Sequence, residues 1–166
     1  MASRIVAIVE GFGDVDAVPL LIRRCFESKG RVAPQIPRPI RIPKHRLLAP
    51  GELERAIEQA ARRSGSDGTI LVLLDADDDC AKDVAGAILE RASSARSDRA
   101  IGAVLAVREF EAWFLASAES LSGCRGLAQA MEPPNDPEAV RDAKGWLSER
   151  MTKGRRYAPR VDQAAL

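Results

Sequence analysis

The chain has 166 residues, of which 46% are hydrophobic and 30% charged, and its 25 lysines and arginines nearly balance its 24 aspartates and glutamates. This composition predicts one globular domain with a sizeable core, and it excludes both a histone-like basic binder and an acidic disordered tail. No apolar run approaches the roughly 18 residues of a membrane span, and three scattered cysteines with one histidine argue against disulfides and structural zinc, so we expect a cytoplasmic protein.

The chain begins with a buried strand and an amphipathic helix. Residues 5–9 form a continuous apolar run, which is typical of a parallel strand covered on both faces. A helix is predicted over about 15–29, with Asp14 or Asp16 as its N-terminal cap and a stop near Gly30.

The elements after residue 30 alternate between strands and helices. In chain order they are an extended proline-rich segment over 31–50 with a short strand at 40–42, a helix at 52–63, a strand at 69–74, a helix at 82–95, a strand at 101–107, a helix to about 118, a turn at 133–137 and a helix at 138–151. This order predicts an α/β fold with a mostly parallel sheet over residues 1–118, and a small C-terminal helical and basic extension over 119–166.

Acidic side chains follow each of the three best strands. They are Glu10, then Asp75 and Asp77, then Glu109 and Glu111. Because the carboxyl ends of parallel strands meet at one edge of a sheet, we expect these carboxylates to converge, together with Asp14 one helical turn beyond Glu10. Like charges crowd unfavourably without a cation, and oxygen ligands suit Mg²⁺ or Mn²⁺.

A simpler interpretation of the acids stays open. Acids after a strand often cap the next helix, which applies to Asp78 and Asp79, and Glu10 alone could be a solvated loop residue. Asp83 is most simply an acid in the first turn of a helix.

Three stretches of sequence carry a family resemblance. They are Val9-Glu10-Gly11 with Asp14 four residues after the glutamate, the apolar strand that ends in Asp75-Ala76-Asp77, and the segment REFEAWFLA at 108–116. The first two resemble the TOPRIM domain, the metal-dependent fold of topoisomerases, primases and overcoming-lysogenization-defect (OLD) nucleases. The third resembles a TOPRIM-like bacterial family of unknown function that is encoded beside ABC- or AAA-type ATPases in phage-defence settings.

The resemblance covers about residues 5–118 and implies roles for the strand-end acids. It implies that Glu10 is a metal ligand or general acid–base, and that Asp75 and Asp77 form a metal-binding pair. The implied catalytic residues are Glu10, Asp75 and Asp77, and the implied metal ligands are Glu10, Asp14, Asp75, Asp77, Glu109 and Glu111.

The chain departs from the pattern of the family in two places. No lysine clearly matches the late lysine of the nuclease branch, for which Lys144 and Lys153 are the candidates. Residues 161–166 are typical of the start of another helix, so we expect the C-terminal extension to be incomplete.

A nucleic-acid strand near a carboxylate cluster needs cationic side chains on its flanking phosphates. The candidates are Arg38, Arg41, Lys44, Arg46, Lys153, Arg155 and Arg156. Tyr157 lies among arginines and is a candidate for stacking on a base. The alternative is that these basic residues only solvate an extended segment or bind the acids of a partner.

Three functions are compatible with this sequence. The leading hypothesis is a Mg²⁺- or Mn²⁺-dependent phosphoryl-transfer protein that acts on nucleic acid, DNA in preference to RNA. It would be a TOPRIM-type nuclease or nicking subunit of a bacterial defence system with an ATPase partner. The second is a non-catalytic metal-binding or interaction module that regulates the ATPase. The third is a receiver-type phosphotransfer domain with Asp75 as its phosphorylated residue.

Overall fold

The computed structural model describes residues 3–152 and 154–166. Its strands are β1 (Ile5–Val9), β2 (Ile40–Arg41), β3 (Thr69–Asp75) and β4 (Ala100–Ala106). They form one four-stranded sheet in the order β2-β1-β3-β4, and every neighbouring pair is parallel. The predicted α/β class with a parallel sheet and flanking helices is confirmed.

Eight helices surround or extend this sheet within the described residues. They are α1 (Asp14–Ser28), α2 (Lys44–Leu47), α3 (Glu52–Ser64), α4 (Ala81–Ala95), α5 (Ala112–Ala116), α6 (Ala118–Leu121), α7 (Ala143–Glu149) and α8 (Pro159–Asp162). No helix among them combines the length and the apolar character that crossing a membrane requires.

The apolar side chains of β1 contribute to the hydrophobic core on both faces of the sheet. Val6 and Ile8 belong to a buried cluster that includes residues of α3 and α4. Ala7 and Val9, which point to the opposite face, belong to a second cluster with residues of α1. Helices therefore cover the sheet on both sides. For this reason β1 is apolar throughout and does not alternate between apolar and polar residues.

The predicted cap of α1 is wrong. The N-cap of α1 is Gly13, with no side-chain hydrogen bond, and Asp14 instead accepts a hydrogen bond from the Gly11 N–H at 2.7 Å. Asp14 therefore holds the turn that follows β1. The end of α1 agrees with the prediction, because Gly30 has φ +64°, a conformation that glycine adopts freely.

At the start of α4, the N-cap is Cys80, and no side chain caps that helix. Asp78 and Asp79 therefore do not cap it, and they form ion pairs instead. Asp83 lies in the first turn of α4, as the sequence predicts.

The helix predicted over 138–151 is confirmed only in its second part, as α7. The structure has a short 3₁₀ turn at Pro137–Ala139 and then α7, separated by extended residues. Asp142 starts α7, because its side chain accepts a hydrogen bond from the Gly145 N–H at 2.7 Å. A capping aspartate in the middle of a helical pattern thus marks a new beginning rather than the interior of one helix.

The C-terminal segment packs against the first helix. Its apolar side chains form a cluster of their own, which includes Leu127, Leu147 and Tyr157. At its end, Gln163 Nε2 donates to Asp14 Oδ1 at 2.7 Å. The C-terminal segment therefore supplies a hydrogen-bond donor to Asp14, an acid near the carboxyl edge of the sheet.

Candidate functional site

Two strand-end acids lie side by side at the carboxyl edge of the sheet. β1 and β3 are neighbours, with Val9 paired to Leu73, so Glu10 and Asp75 leave the sheet at the same edge. The charge of Glu10 contributes to the raised pKa of Asp75, after the larger effect of burial. We call Glu10 and Asp75 the central acid pair.

Asp75 is held by the backbone and destabilised as an anion. Its Oδ1 accepts a hydrogen bond from the Phe110 N–H at 2.8 Å. Burial, followed by repulsion from Glu10 and Asp14, raises the pKa of Asp75 to about 8. At neutral pH the carboxyl therefore retains its proton unless a cation enters the site.

Glu10 has an oxygen that the protein leaves unpartnered. Its Oε2 is buried and has no hydrogen-bond partner among the described residues. Burial, followed by repulsion from Asp77, raises the pKa of Glu10 above its ordinary value. A buried acceptor without a partner costs free energy, so this oxygen is positioned to bind a proton or a cation.

Asp14 contributes charge to the central acid pair but already has protein partners on both oxygens. Its Oδ2 accepts from the Gly11 N–H and its Oδ1 from Gln163 Nε2, both at 2.7 Å. The structure thus brings Asp14 near the predicted site in a mainly positioning role.

Asp77 lies beside the pair but is held by a lysine. Lys44 Nζ forms ion pairs with Asp77 at 2.9 Å and Asp79 at 3.0 Å, and it donates to the Ala76 carbonyl at 2.9 Å. Burial opposes the charge of Lys44, but the hydrogen bonds to both aspartates raise its pKa. Lys44, a predicted nucleic-acid contact, is therefore engaged with the acidic site itself.

A small cavity of mixed charge lies next to Asp77. It has a volume of about 150 Å³ and is lined by Asp77, Asp78, Arg108, Glu109 and Arg141. Arg108 Nη1 lies 2.5 Å from Asp78 Oδ1, and Arg141 Nη1 lies 3.3 Å from the same oxygen. Both arginines thus pair with an acid at the wall of this cavity.

The later acids form a second group that has its own cation. Lys144 of α7 forms ion pairs with Glu109 and, at 3.1 Å, with Glu111. Glu109 also accepts from the Ala143 N–H at 2.7 Å, and Glu111 accepts from the Tyr157 hydroxyl at 3.0 Å. We call Glu109, Glu111, Lys144 and Tyr157 the lysine network.

The charges of the lysine network are mutually compensated. Burial opposes the ammonium of Lys144, but Glu109 and Glu111 raise its pKa. Burial raises the pKa of Glu111, while Lys144 acts against that shift. These acids were predicted as metal ligands, and the structure places them beside a lysine that supplies positive charge.

Tyr157 and Gln163 have roles that sequence reasoning missed. Tyr157 is only 6% exposed, so the predicted stacking on a base is wrong. Burial and the Glu111 carboxylate raise its pKa, and the hydroxyl therefore remains a donor. Gln163 contacts Asp14 across a sequence separation of 149 residues, for which the sequence gives no signal.

Among the predicted nucleic-acid contacts, Arg41 contacts the backbone of the central acid pair. It ends β2 and its Nη1 lies 3.4 Å from the Glu10 carbonyl oxygen. Arg38 is exposed and precedes β2, and Arg46 lies 3.8 Å from Glu52.

The other predicted contacts belong to the C-terminal segment. Arg155 pairs with Asp162 at 2.8 Å, and Arg156 is exposed. Lys153 lies outside the described residues.

The central acid pair fits one hard divalent cation. Among residues 3–152 and 154–166, no three acidic, histidine or cysteine side chains stand as a ready metal-binding group. Mg²⁺, however, is often bound by one or two carboxylates, with water and substrate phosphates completing its coordination. The Glu10 oxygen that lacks a partner among the described residues, and the burial and repulsion that raise the pKa of Asp75, meet that requirement.

Comparison with known proteins gives one match. The model of a family described as a domain of unknown function (DUF4276) matches residues 9–165. No curated protein and no solved structure matches the chain. The matched range includes both the central acid pair and the lysine network.

Proposed function

For this chain, which belongs to the DUF4276 family, we propose a Mg²⁺- or Mn²⁺-dependent phosphoryl-transfer function on nucleic acid, as a TOPRIM-type nuclease or nicking subunit. The observation that carries the proposal is the central acid pair at the carboxyl edge of a parallel sheet. Glu10 has a buried oxygen without a hydrogen-bond partner among the described residues, and burial, followed by repulsion from Glu10 and Asp14, raises the pKa of Asp75 to about 8.

Glu10 and Asp75 would hold the ion. A divalent cation in such a site polarises a phosphodiester and lowers the pKa of a water nucleophile. The Phe110 N–H fixes the orientation of Asp75 at 2.8 Å, and Asp14 fixes the turn beside Glu10. Glu10, whose pKa burial and the nearby Asp77 raise above its ordinary value, is also suited to accept or return a proton.

The substrate and setting are supported by the resemblance of residues 5–118 to the TOPRIM domain. It favours DNA over RNA, and an ABC- or AAA-type ATPase partner in a bacterial defence system. A cytoplasmic location is part of the same proposal, since Cys25, Cys80 and Cys124 are free and exposed, which suits a reducing compartment.

A plasmid-nicking assay with Mn²⁺ or Mg²⁺ tests the proposal. We expect Glu10→Gln and Asp75→Asn each to reduce nicking by about 100-fold or more, because each removes charge from the ion site. Asp67→Asn is the matched control, since Asp67 is an exposed acid in the turn before β3, at the opposite edge of the sheet. Nicking that persists in both site variants, or in EDTA, would overturn the proposal.

A second candidate is a non-catalytic interaction module that regulates an ATPase. The observation that favours it is internal neutralisation, because Lys44 pairs with Asp77 and Lys144 pairs with Glu111. Unchanged regulation of a partner ATPase by Glu10→Gln and Asp75→Asn, with no nicking by the parent protein, would favour this candidate over the nuclease.

A further inference from the structure

Two arginines pack against the ring of an exposed phenylalanine beside the acidic site. Phe12 follows Glu10 by two residues, and 53% of its surface is exposed. The Arg41 guanidinium carbon lies 3.8 Å from the centroid of its ring, and that of Arg160 lies 4.4 Å from it. Arg41 comes from β2 and Arg160 from α8, so the ring joins cations from distant parts of the chain.

Neither guanidinium is neutralised by an acid within residues 3–152 and 154–166. Among the described residues, no carboxylate lies within ion-pair distance of Arg41 or Arg160. Arg91, by contrast, pairs with Glu54 at 2.8 Å. The two guanidinium carbons lie no farther apart than the sum of their distances to the ring centroid. Two like charges at such a separation repel each other, so an anion bound beside them is favoured.

The pair of arginines stands at the rim of the central acid pair. Arg41 Nη1 lies 3.4 Å from the Glu10 carbonyl oxygen. Arg160 lies three residues before Gln163, whose side chain donates to Asp14. An anion bound here would therefore lie next to the carboxylates.

We propose that Phe12, Arg41 and Arg160 form a clamp for the phosphodiester backbone of a nucleic-acid strand, next to the phosphate that the site would cleave. This inference rests on the proposed function. Stacking occupies the flat face of a guanidinium and leaves its in-plane N–H donors for phosphate oxygens. Two such groups on one ring are pre-oriented, so they lose little side-chain freedom when the strand binds.

Binding of a fluorescent oligonucleotide in EDTA tests the clamp separately from cleavage. We expect Arg41→Ala and Arg160→Ala each to weaken binding about five- to tenfold and to reduce the slope of log affinity against log salt by about one. Arg31→Ala is the matched control, because Arg31 also stacks on a phenylalanine, Phe26, at 5.5 Å, beyond the end of α1. It should bind within about twofold of the parent protein.

Two further variants separate stacking from charge. Phe12→Ala retains both arginines but removes their platform, and Arg160→Lys retains the charge but loses the planar donor group. We expect both to weaken binding by about threefold or more while their thermal unfolding matches that of the parent. Binding of Arg41→Ala and Arg160→Ala that equals that of Arg31→Ala would overturn the clamp.

The clamp and the proposed function fail in different ways. Clamp-dependent binding without Mn²⁺-dependent cleavage would support the clamp and overturn the nuclease. Cleavage that needs Glu10 and Asp75 but has an unchanged KM in both arginine variants would overturn the clamp alone. Absence of any oligonucleotide binding by the parent protein would overturn both.

Discussion

The carboxyl edge of the sheet carries two groups of carboxylates that the protein treats in opposite ways. In the lysine network, Lys144 pairs with Glu109 and Glu111, and the Tyr157 hydroxyl satisfies a further oxygen. In the central acid pair, Glu10 keeps a buried oxygen that has no hydrogen-bond partner in the part of the chain that the structure describes.

The comparison shows that acids at one sheet edge can differ in how the fold compensates their charge. A buried carboxylate with its own cation and donors is stable without a ligand, and removing one partner leaves an uncompensated charge. Burial, followed by repulsion from Glu10 and Asp14, raises the pKa of Asp75 to about 8, so this carboxyl favours a bound proton or, as we propose, a metal ion. The first arrangement links α7 and Tyr157 to the acids at the sheet edge, and we propose that the second binds the metal ion.

The largest expected effect comes from removing the internal cation. Lys144→Met leaves Glu111, whose side chain is 2% exposed, without its ion pair. Because the Lys144 side chain is itself 41% exposed, we expect a loss of about 2–3 kcal/mol in the free energy of unfolding, below the range for fully buried pairs. Urea unfolding at pH 7 measures it.

Two further variants serve as controls for Lys144→Met. Lys82→Met removes an exposed lysine of α4 and should change stability by less than about 0.5 kcal/mol. Adding Glu111→Gln to Lys144→Met should recover part of the loss, since the buried charge is gone. A Lys144→Met protein as stable as Lys82→Met would show that the lysine network is not a structural counterpart to the central acid pair.

The next effect tests the hydroxyl of the same network. Tyr157→Phe retains the ring that lies 6.4 Å from Phe114 but removes the hydrogen bond to Glu111. We expect a loss of about 1.5 kcal/mol in the free energy of unfolding, because the charged acceptor is left short of a partner. In a double-mutant cycle with Glu111→Gln, a coupling energy near zero would contradict this assignment.

The sequence predicts the central acid pair better than it predicts the lysine network. Two apolar runs that each end in an acid place Glu10 and Asp75 at one sheet edge, because strands in a parallel sheet share a direction. That inference needs only local patterns and one topological rule. The α/β class and most element boundaries follow from the same local patterns.

The lysine network depends on contacts that no local pattern encodes. Lys144 reaches Glu109 from α7, and α7 begins only because Asp142 interrupts a pattern that is typical of one longer helix. Tyr157 is surrounded by arginines in sequence, which suggests an exposed surface. The fold instead buries its ring in the C-terminal cluster. Tertiary packing decides these positions, so composition and spacing are insufficient.

A smaller effect should come from relieving the repulsion in the central acid pair. The pKa of Asp75 is raised from 3.8 to about 8, so the folded state binds more protons than the unfolded state between those values. The free energy of unfolding therefore falls as pH rises through that window. Asp75→Asn lacks this loss and should have a Tm about 3 °C above the parent at pH 9, with little difference at pH 4. Equal Tm values across this pH range would contradict the shift.

The smallest effect tests whether a cation relieves the same repulsion. A ligand that binds only the folded state at about twice its Kd stabilises it by about 0.6 kcal/mol, or roughly 2 °C in Tm. We expect Mg²⁺ at pH 8 to raise the Tm of the parent and of Asp67→Asn by this amount, but not that of Glu10→Gln. Glu109→Gln should retain the shift, because Lys144 already supplies the positive charge there. A Mg²⁺-induced rise in Tm that disappears in Glu109→Gln and persists in Glu10→Gln would contradict this assignment. The metal ion would then compete with Lys144 for the acids of the lysine network instead of binding the central acid pair.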